Sequence, residues 1–206
     1  MSTKGVILPA AIDGQFGRDV ATIDIPNAFL WTDNDGEVLM KLCGQMVELL
    51  VALDPNLYRK YIVFGKNGEP VLYVKLLKAL YGLLRSAILF YKKLQKELED
   101  MDFKINPYDP CVSKKLVNGS QMTVTWHVDD LNISHKYSQE VTTFILSMGK
   151  IYGEGITVTR GKFHSYLGMY FNLSTQGTTK LSMIKYAVQI LDDFPGFQNF
   201  CNFASS

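Results

Sequence analysis

The chain has 206 residues, 47% hydrophobic and 20% charged, a balance that excludes an intrinsically disordered segment and suits one domain, or one domain with part of a second. Lys plus Arg number 21 against 20 Asp plus Glu, and the resulting +1 excludes a strong overall field for steering nucleic acid, leaving local patches for that purpose. Cys43, Cys111 and Cys201 lie far apart with no C-x-x-C pair, which argues against a disulfide framework or zinc ribbon and for a reducing, intracellular setting. The first residues show no signal-peptide pattern, and no apolar run is long enough to span a bilayer, so no membrane is expected as a partner.

In chain order, Val20 to Ile25 reads as a mostly buried strand ended by Pro26, and Glu37 to Leu42 as a second strand. Gln45 to Leu53 suits a short helix. Asp54-Pro55 then offers an N-cap and a first-turn proline for another. Tyr61–Phe64 and Val71–Leu76 flank Gly65-Lys66-Asn67-Gly68, which predicts a hairpin. Between Ala79 and Met101 the apolar residues Leu83, Ala87, Ile88, Tyr91, Leu94 and Leu98 recur at helical spacing, predicting the longest amphipathic helix, starting after Gly82. Met122, Val124, Trp126 and Val128 alternate with polar residues up to Asp129-Asp130, and Leu131 and Ile133 alternate beyond; this predicts a hairpin with carboxylates at its tip. Ser138 is expected to cap a helix stopped by Gly149. Tyr166–Leu173 and Thr179–Met183 flank Gly177 as a further hairpin, and Ile184, Val188 and Leu191 mark a last short helix. The fold class expected is α+β, helices packed on an antiparallel sheet.

Adjacent aspartates at a tip repel one another unless water screens them or a cation lies between them. Seen alone, Asp129-Asp130 is a solvated turn, since Asp is a common turn residue. Two features point further: the flanking strands are apolar enough to be central, and Asp24 closes another strand after its own hydrophobic run. If those strands are neighbours, Asp24 and Asp129 meet. Hard oxygen ligands of this kind suit Mg²⁺ rather than zinc.

Several stretches carry a family resemblance. Asp24-Ile-Pro-Asn-Ala-Phe-Leu30 resembles the D-x-x-x-A-F-L motif of copia-type retrotransposon reverse transcriptases, and His127-Val-Asp-Asp130 resembles their Y-V-D-D box. Between them, Leu77-Lys-Ala-Leu-Tyr-Gly82 matches their K-A-L-Y-G element, and Phe103 with Asp109-Pro-Cys-Val112 matches the stretch that precedes the catalytic hairpin. Tyr166-Leu-Gly-Met169 is similar to their F-L-G-I element. Five elements in the right order cover roughly residues 18 to 194. The chain departs from the pattern at His127, where Tyr or Phe is usual, at Asp102, where glycine is usual, and at Leu84-Arg-Ser-Ala-Ile-Leu-Phe-Tyr91, which lacks the usual Gln, Pro and Arg.

The resemblance implies an RNA-directed DNA polymerase palm with the fingers mostly missing: a residual segment over 1–18, the palm with partial fingers over 19–194 and a tail over 195–206. It implies Asp24, Asp129 and Asp130 as catalytic carboxylates that bind two Mg²⁺ (or Mn²⁺) ions with the backbone carbonyl of Ile25. Asn27 and Ala28 would face the incoming triphosphate, Phe29 would be the steric gate against a ribose 2′-hydroxyl, and Gly82 and Arg85 would line the nascent base pair. Tyr166, Leu167, Gly168 and Met169 would contact the primer. Implied partners are an RNA or DNA template with primer, deoxynucleoside triphosphates and other domains of a retroelement polyprotein. The implied setting is a cytoplasmic virus-like particle, with the nucleus as the alternative. Only about twenty residues precede Asp24, so weak polymerisation by the isolated chain is expected. The competing readings are a catalytically inactive relic with at most weak primer–template binding, and an α+β interaction module whose acidic turn is incidental.

Overall fold

The computed structural model describes residues 1–193. In chain order they form α1 (Thr3–Phe16), β1 (Asp19–Asp24), a 3-10 turn (Ala28–Trp31), β2 (Leu39–Cys43), α2 (Gln45–Leu53), α3 (Pro55–Tyr58), a second 3-10 turn (Arg59–Tyr61), β3 (Val63–Phe64), β4 (Pro70–Lys75) and α4 (Ser86–Asp100). There follow β5 (Lys104–Asn106), β6 (Asp109–Val117), β7 (Ser120–His127), β8 (Asp130–His135), α5 (Ser138–Tyr152), β9 (Thr157–Arg160), β10 (Phe163–Tyr166), β11 (Met169–Asn172), β12 (Lys180–Ser182) and α6 (Ile184–Asp193). Two units divide the chain: Met1–Pro26 with Leu94 onward, and Asn27–Lys93. The expected α+β class is what forms.

The first unit is built on a six-stranded antiparallel sheet in the order β5-β6-β7-β8-β1-β9. Residues opposite one another in such a sheet share a face, and alternate residues change face. One face therefore carries Ala21 and Ile23 of β1, Leu131 and Ile133 of β8, and Val124 and Trp126 of β7, all fully buried. Helix α5 packs against β1 and β8, and its Val141, Phe144 and Met148 are buried. Each such side chain contributes roughly 1.5–3 kcal/mol by leaving water.

The opposite face is polar apart from the buried Val20: Thr22, Thr123, Thr125, Asn132 and Ser134 lead along it to His127, Asp130 and Asp24 at one end. Helix α1 touches β6 and β7, and Arg18 just beyond it donates to the Thr123 hydroxyl at 3.5 Å. The small sheet β10-β11-β12 shares a core with α1, in which Val6 meets Tyr166, Met169 and Phe171. Helix α1 falls inside the segment read as residual. Its interior holds Gly5, Pro9 and Gly14, poor helix formers all. The two glycines are there for close approach: a Cβ would lie 2.4 Å from the Asp109 carboxylate at Gly5, and 2.1 Å from the Thr179 hydroxyl at Gly14. Asp109, from the D-P-C-V stretch, is a buried anchor that accepts from Ser2 N at 2.8 Å, Ser2 Oγ at 2.7 Å and Cys111 N at 3.1 Å. Burial pushes its carboxyl up, but these hydrogen bonds outweigh it and hold the group below the usual range.

In the second unit β4 pairs antiparallel with both β2 and β3, and Leu42, Val47 and Leu72 form its core under α2. Helix α2 has the expected bounds, and the Asp54 carboxylate caps α3 by accepting from Leu57 N at 3.0 Å. Helix α4 starts at Ser86, later than its periodicity suggests, because residues 80–85 form turns; the Ser86 hydroxyl donates to Leu80 O at 2.6 Å.

Three expectations are corrected. Tyr137, not Ser138, occupies the N-cap of α5 and makes no side-chain cap bond. That helix runs through Gly149 and ends at Gly153, whose φ of 78° no longer fits a helix. Tyr166–Leu173 is not one strand: Leu167 (φ 52°) and Gly168 (φ 73°) turn the chain between β10 and β11. The tail expected over 195–206 lies outside the described residues. No helix among those described is long and apolar enough to cross a membrane.

Candidate active site

Strand register brings the carboxylates together. Asp24, the last residue of β1, is directly opposite Asp130, the first of β8, and His127 faces Asp130 from β7. Such cross-strand partners hold their Cβ atoms about 5 Å apart. Asp129 lies one residue earlier, in the two-residue turn Val128-Asp129. The Ile25 amide donates to Asp129 O at 3.2 Å, so the segment that extends β1 is stitched to the turn itself. Ile25 is fully buried, Asp24 is exposed, and Asp129 and Asp130 are half-buried. Burial first, then the charges of Asp129 and Asp24, hold the Asp130 carboxyl above its ordinary range, with His127 opposing them.

Val128 adopts φ 57°. A β-branched residue in the left-handed region is strained by about 1–2 kcal/mol, and such outliers gather at functional sites where the surroundings over-determine them. The strands β7 and β8 impose that conformation because a two-residue hairpin needs positive φ at its first turn position. Replacing Val128→Gly is expected to raise unfolding stability by about 1 kcal/mol in urea titration. An unchanged or lower midpoint would show that packing of the valine outweighs its strain.

Tyr166 reaches the same place from the small sheet. Its hydroxyl donates to Asp130 O at 3.4 Å, and burial pushes the phenol upward. Of the four residues assigned to primer contact, Tyr166 and Met169 are core residues, whereas Leu167 is half-buried and Gly168 exposed at the turn. Tyr166 and Ile25 were expected in the site, but not in these roles: the hydroxyl bond to Asp130 O and the Ile25 amide bond to Asp129 O are contacts that the sequence reading missed. Pairing of β10 with β11 is the signal that would have found the first, had the Leu167-Gly168 turn been legible.

The other assigned residues belong to the second unit. Asn27 is exposed with φ 53°, and Ala28 is fully buried. The Phe29 ring is buried, 4.3 Å from that of Tyr81 and 6.3 Å from that of Phe90 between centroids. Gly82 is exposed at φ 92°. The Arg85 guanidinium lies 2.6 Å from the Asp35 carboxylate.

The carboxylates of Asp24, Asp129 and Asp130 offer the oxygen donors that suit a hard divalent cation, with the His127 imidazole beside them, and the mutual repulsion at Asp130 is what a cation would relieve. Among the described residues, no three or more His, Cys, Asp or Glu side chains are gathered closely enough to hold a metal ion as they stand.

An antiparallel sheet backed by helices, with carboxylates at the ends of two adjacent strands, is a palm-like fold. The model of the family described as reverse transcriptase (RNA-dependent DNA polymerase) matches residues 2–203. The chain belongs to that family, in its copia-type branch.

A search of curated proteins finds no match to the chain. Among solved structures, apo telomerase from Candida tropicalis is similar over 84% of this chain and 35% of its own, at 12% identity and a TM-score of 0.47. The same telomerase truncated from its C-terminal domain aligns over 88% of this chain and 40% of its own, at 12% identity and 0.46. Telomerase from Candida albicans, in complex with a TWJ fragment of telomeric RNA, aligns over 88% and 35%, at 13% identity and 0.44. The chain thus spans little more than a third of the structures it resembles.

Proposed function

We propose that the chain is the palm portion of an RNA-directed DNA polymerase from a copia-type retroelement, extending a primer 3′-hydroxyl on an RNA or DNA template with deoxynucleoside triphosphates. The observation that carries this reading is the register that sets Asp24 opposite Asp130, with Asp129 in the adjoining turn. Asp24 and Asp129, with the Ile25 carbonyl, would hold two Mg²⁺ ions, and Asp130 would complete the acidic cluster. The ions would supply activation of the attacking hydroxyl and neutralisation of the leaving pyrophosphate oxygen. What the chain contributes is position: the Ile25–Asp129 bond fixes the turn against β1, and Tyr166 fixes the backbone of Asp130 from below. Phosphoryl transfer depends on such positioning and on electrostatic stabilisation. Asn27, Ala28, Phe29, Gly82 and Arg85 are assigned to the incoming nucleotide and Tyr166, Leu167, Gly168 and Met169 to the primer, on the family motifs alone.

Titration with Mg²⁺ or Mn²⁺ followed by thermal shift tests the reading. Binding to the folded state alone raises stability by RT ln(1 + [L]/Kd), about 2.7 kcal/mol at 100 times Kd. The wild-type chain is expected to respond and Asp129→Asn to lose the response. If the two respond alike, the carboxylates hold no ion and the relic reading replaces this one.

A further inference from the structure

In the second unit an acidic strip is laid along a cationic one. Asp33, Asp35 and Glu37 recur at every second residue, and each meets a cation. Asp33 Oδ1 lies 2.6 Å from Lys78 Nζ, Asp35 Oδ2 lies 2.6 Å from Arg85 Nη2, and Glu37 Oε1 lies 3.3 Å from Lys75 Nζ. The backbone keeps the two segments in register. Ala79 N donates to Thr32 O at 3.0 Å, Asn34 N to Leu77 O at 2.9 Å and Leu76 N to Val38 O at 2.9 Å, while Asn34 Nδ2 donates to Leu76 O at 3.2 Å. The cations sit in or beside Leu77–Gly82, and all three are half or more exposed, so water reaches both partners of every pair. The Lys78 hydrogen bond is the main cause holding the Asp33 carboxyl below its ordinary range.

We propose that Lys75, Lys78 and Arg85 form a track for the phosphates of a single nucleic-acid strand, and that the Asp33–Glu37 segment is a built-in mask that nucleic acid must displace to occupy it. A row of carboxylates at regular intervals presents to the three cations what a phosphate backbone would present. Solvent-exposed pairs of this kind are individually weak. Phosphate contacts gain in addition from release of the counterions condensed on the strand. The mask therefore lowers affinity without abolishing it, and salt, which screens both contacts, weakens the nucleic-acid complex more. For the identity of the polyanion the inference rests on the polymerase reading; for the mask it rests on the ion pairs alone.

The test is fluorescence anisotropy of a mixed-sequence single-stranded oligonucleotide with the full chain, in chelator so that no metal chemistry contributes. The variant Asp33→Asn/Asp35→Asn/Glu37→Gln is compared with wild type and with a charge-matched control, Asp100→Asn/Glu154→Gln/Asp192→Asn, whose residues are exposed in the first unit. Unmasking three cations is expected to steepen the slope of log affinity against log salt by about 2, at ~0.7 per phosphate for single strands, and to tighten binding by about tenfold at ~50 mM salt. Adding Lys75→Gln/Lys78→Gln/Arg85→Gln to the unmasked variant is expected to return the slope to the wild-type value or below. Equal gains from the charge-matched control overturn the proposal, because the effect is then net charge. No gain from the unmasked variant, with or without measurable binding by wild type, also overturns it. Loss of the Mg²⁺ response described above leaves the mask untouched, so the two readings fail separately.

Discussion

Replacing Trp126→Ala is expected to cost about 3–5 kcal/mol of unfolding free energy, the range for emptying a fully buried large aromatic site. Trp126 is among the largest fully buried side chains, at 1% exposure. It stands opposite Leu131 on the hairpin, with Ile23 of β1 next in the same row. The indole thus fills the layer directly behind the row that holds His127, Asp130 and Asp24. At roughly 2–4 °C per kcal/mol for a chain of this size, the melting temperature should fall by about 10 °C. His127→Ala, one residue along but exposed on the other face, should stay within about 0.5 kcal/mol of wild type. Urea titrations of both variants check the pair of outcomes. Comparable losses would mean that His127 is also a packing residue and that the alternation of faces across the hairpin is misassigned.

That alternation was legible from the start, because strict period-2 patterning over Met122–Ser134 leaves a strand little freedom to flip. Helix α2 was equally plain, since no Gly or Pro interrupts Gln45–Leu53 and Asp54-Pro55 marks its end. Neighbouring of Asp24 with Asp129-Asp130 was only conditional in the sequence. Nothing in the composition or periodicity of the 104 residues between Asp24 and Asp129 says which strand lies beside which, and it took the β1–β8 register to supply it. The polar face was harder still. Thr123, Thr125 and Ser134 stood in the sequence only as the polar half of an alternation, yet all three are buried, because α1 and the small sheet cover that face. That cover was illegible because Gly5, Pro9 and Gly14 lower the local preference for helix, while the gain that overrides it, close approach to Asp109 and Thr179, is long-range. Val128 hid its turn for a related reason: a valine gives no sign of φ 57° until both strands are in place. The ion pairs of Arg85 and Lys78 were out of reach too, since 45 or more residues separate each cation from its carboxylate.

The same cover makes stability depend on pH through Asp13. In the last turn of α1 this carboxyl is 2% exposed, and its Oδ1 has no hydrogen-bond partner among the described residues. Burial pushes it up to about 6, against hydrogen bonding from Ser134 and the charge of Arg18, whose guanidinium is 3.8 Å away. In the unfolded chain it returns to 3.8. Below about pH 4 both states are protonated and Asp13 has no influence on the balance. Between about pH 4 and 6 the unfolded chain releases a proton that the folded chain keeps, so stability falls as pH rises; above about 6 the loss is complete. A shift from 3.8 to about 6 corresponds to roughly 3 kcal/mol at ~1.4 kcal/mol per pH unit. Asp13→Asn removes this slope; the folded wild type itself leaves Arg18 without a counter-charge below about pH 6, and the pair formed above that pH is already contained in the position of the Asp13 carboxyl. The gap in unfolding free energy between wild type and Asp13→Asn should therefore favour wild type more at pH 4.5 than at pH 7.5, by about 2 kcal/mol. Parallel stability curves for the two proteins would mean that Asp13 is ionised in the folded chain throughout, and that the ion pair with Arg18 outweighs the loss of water around it.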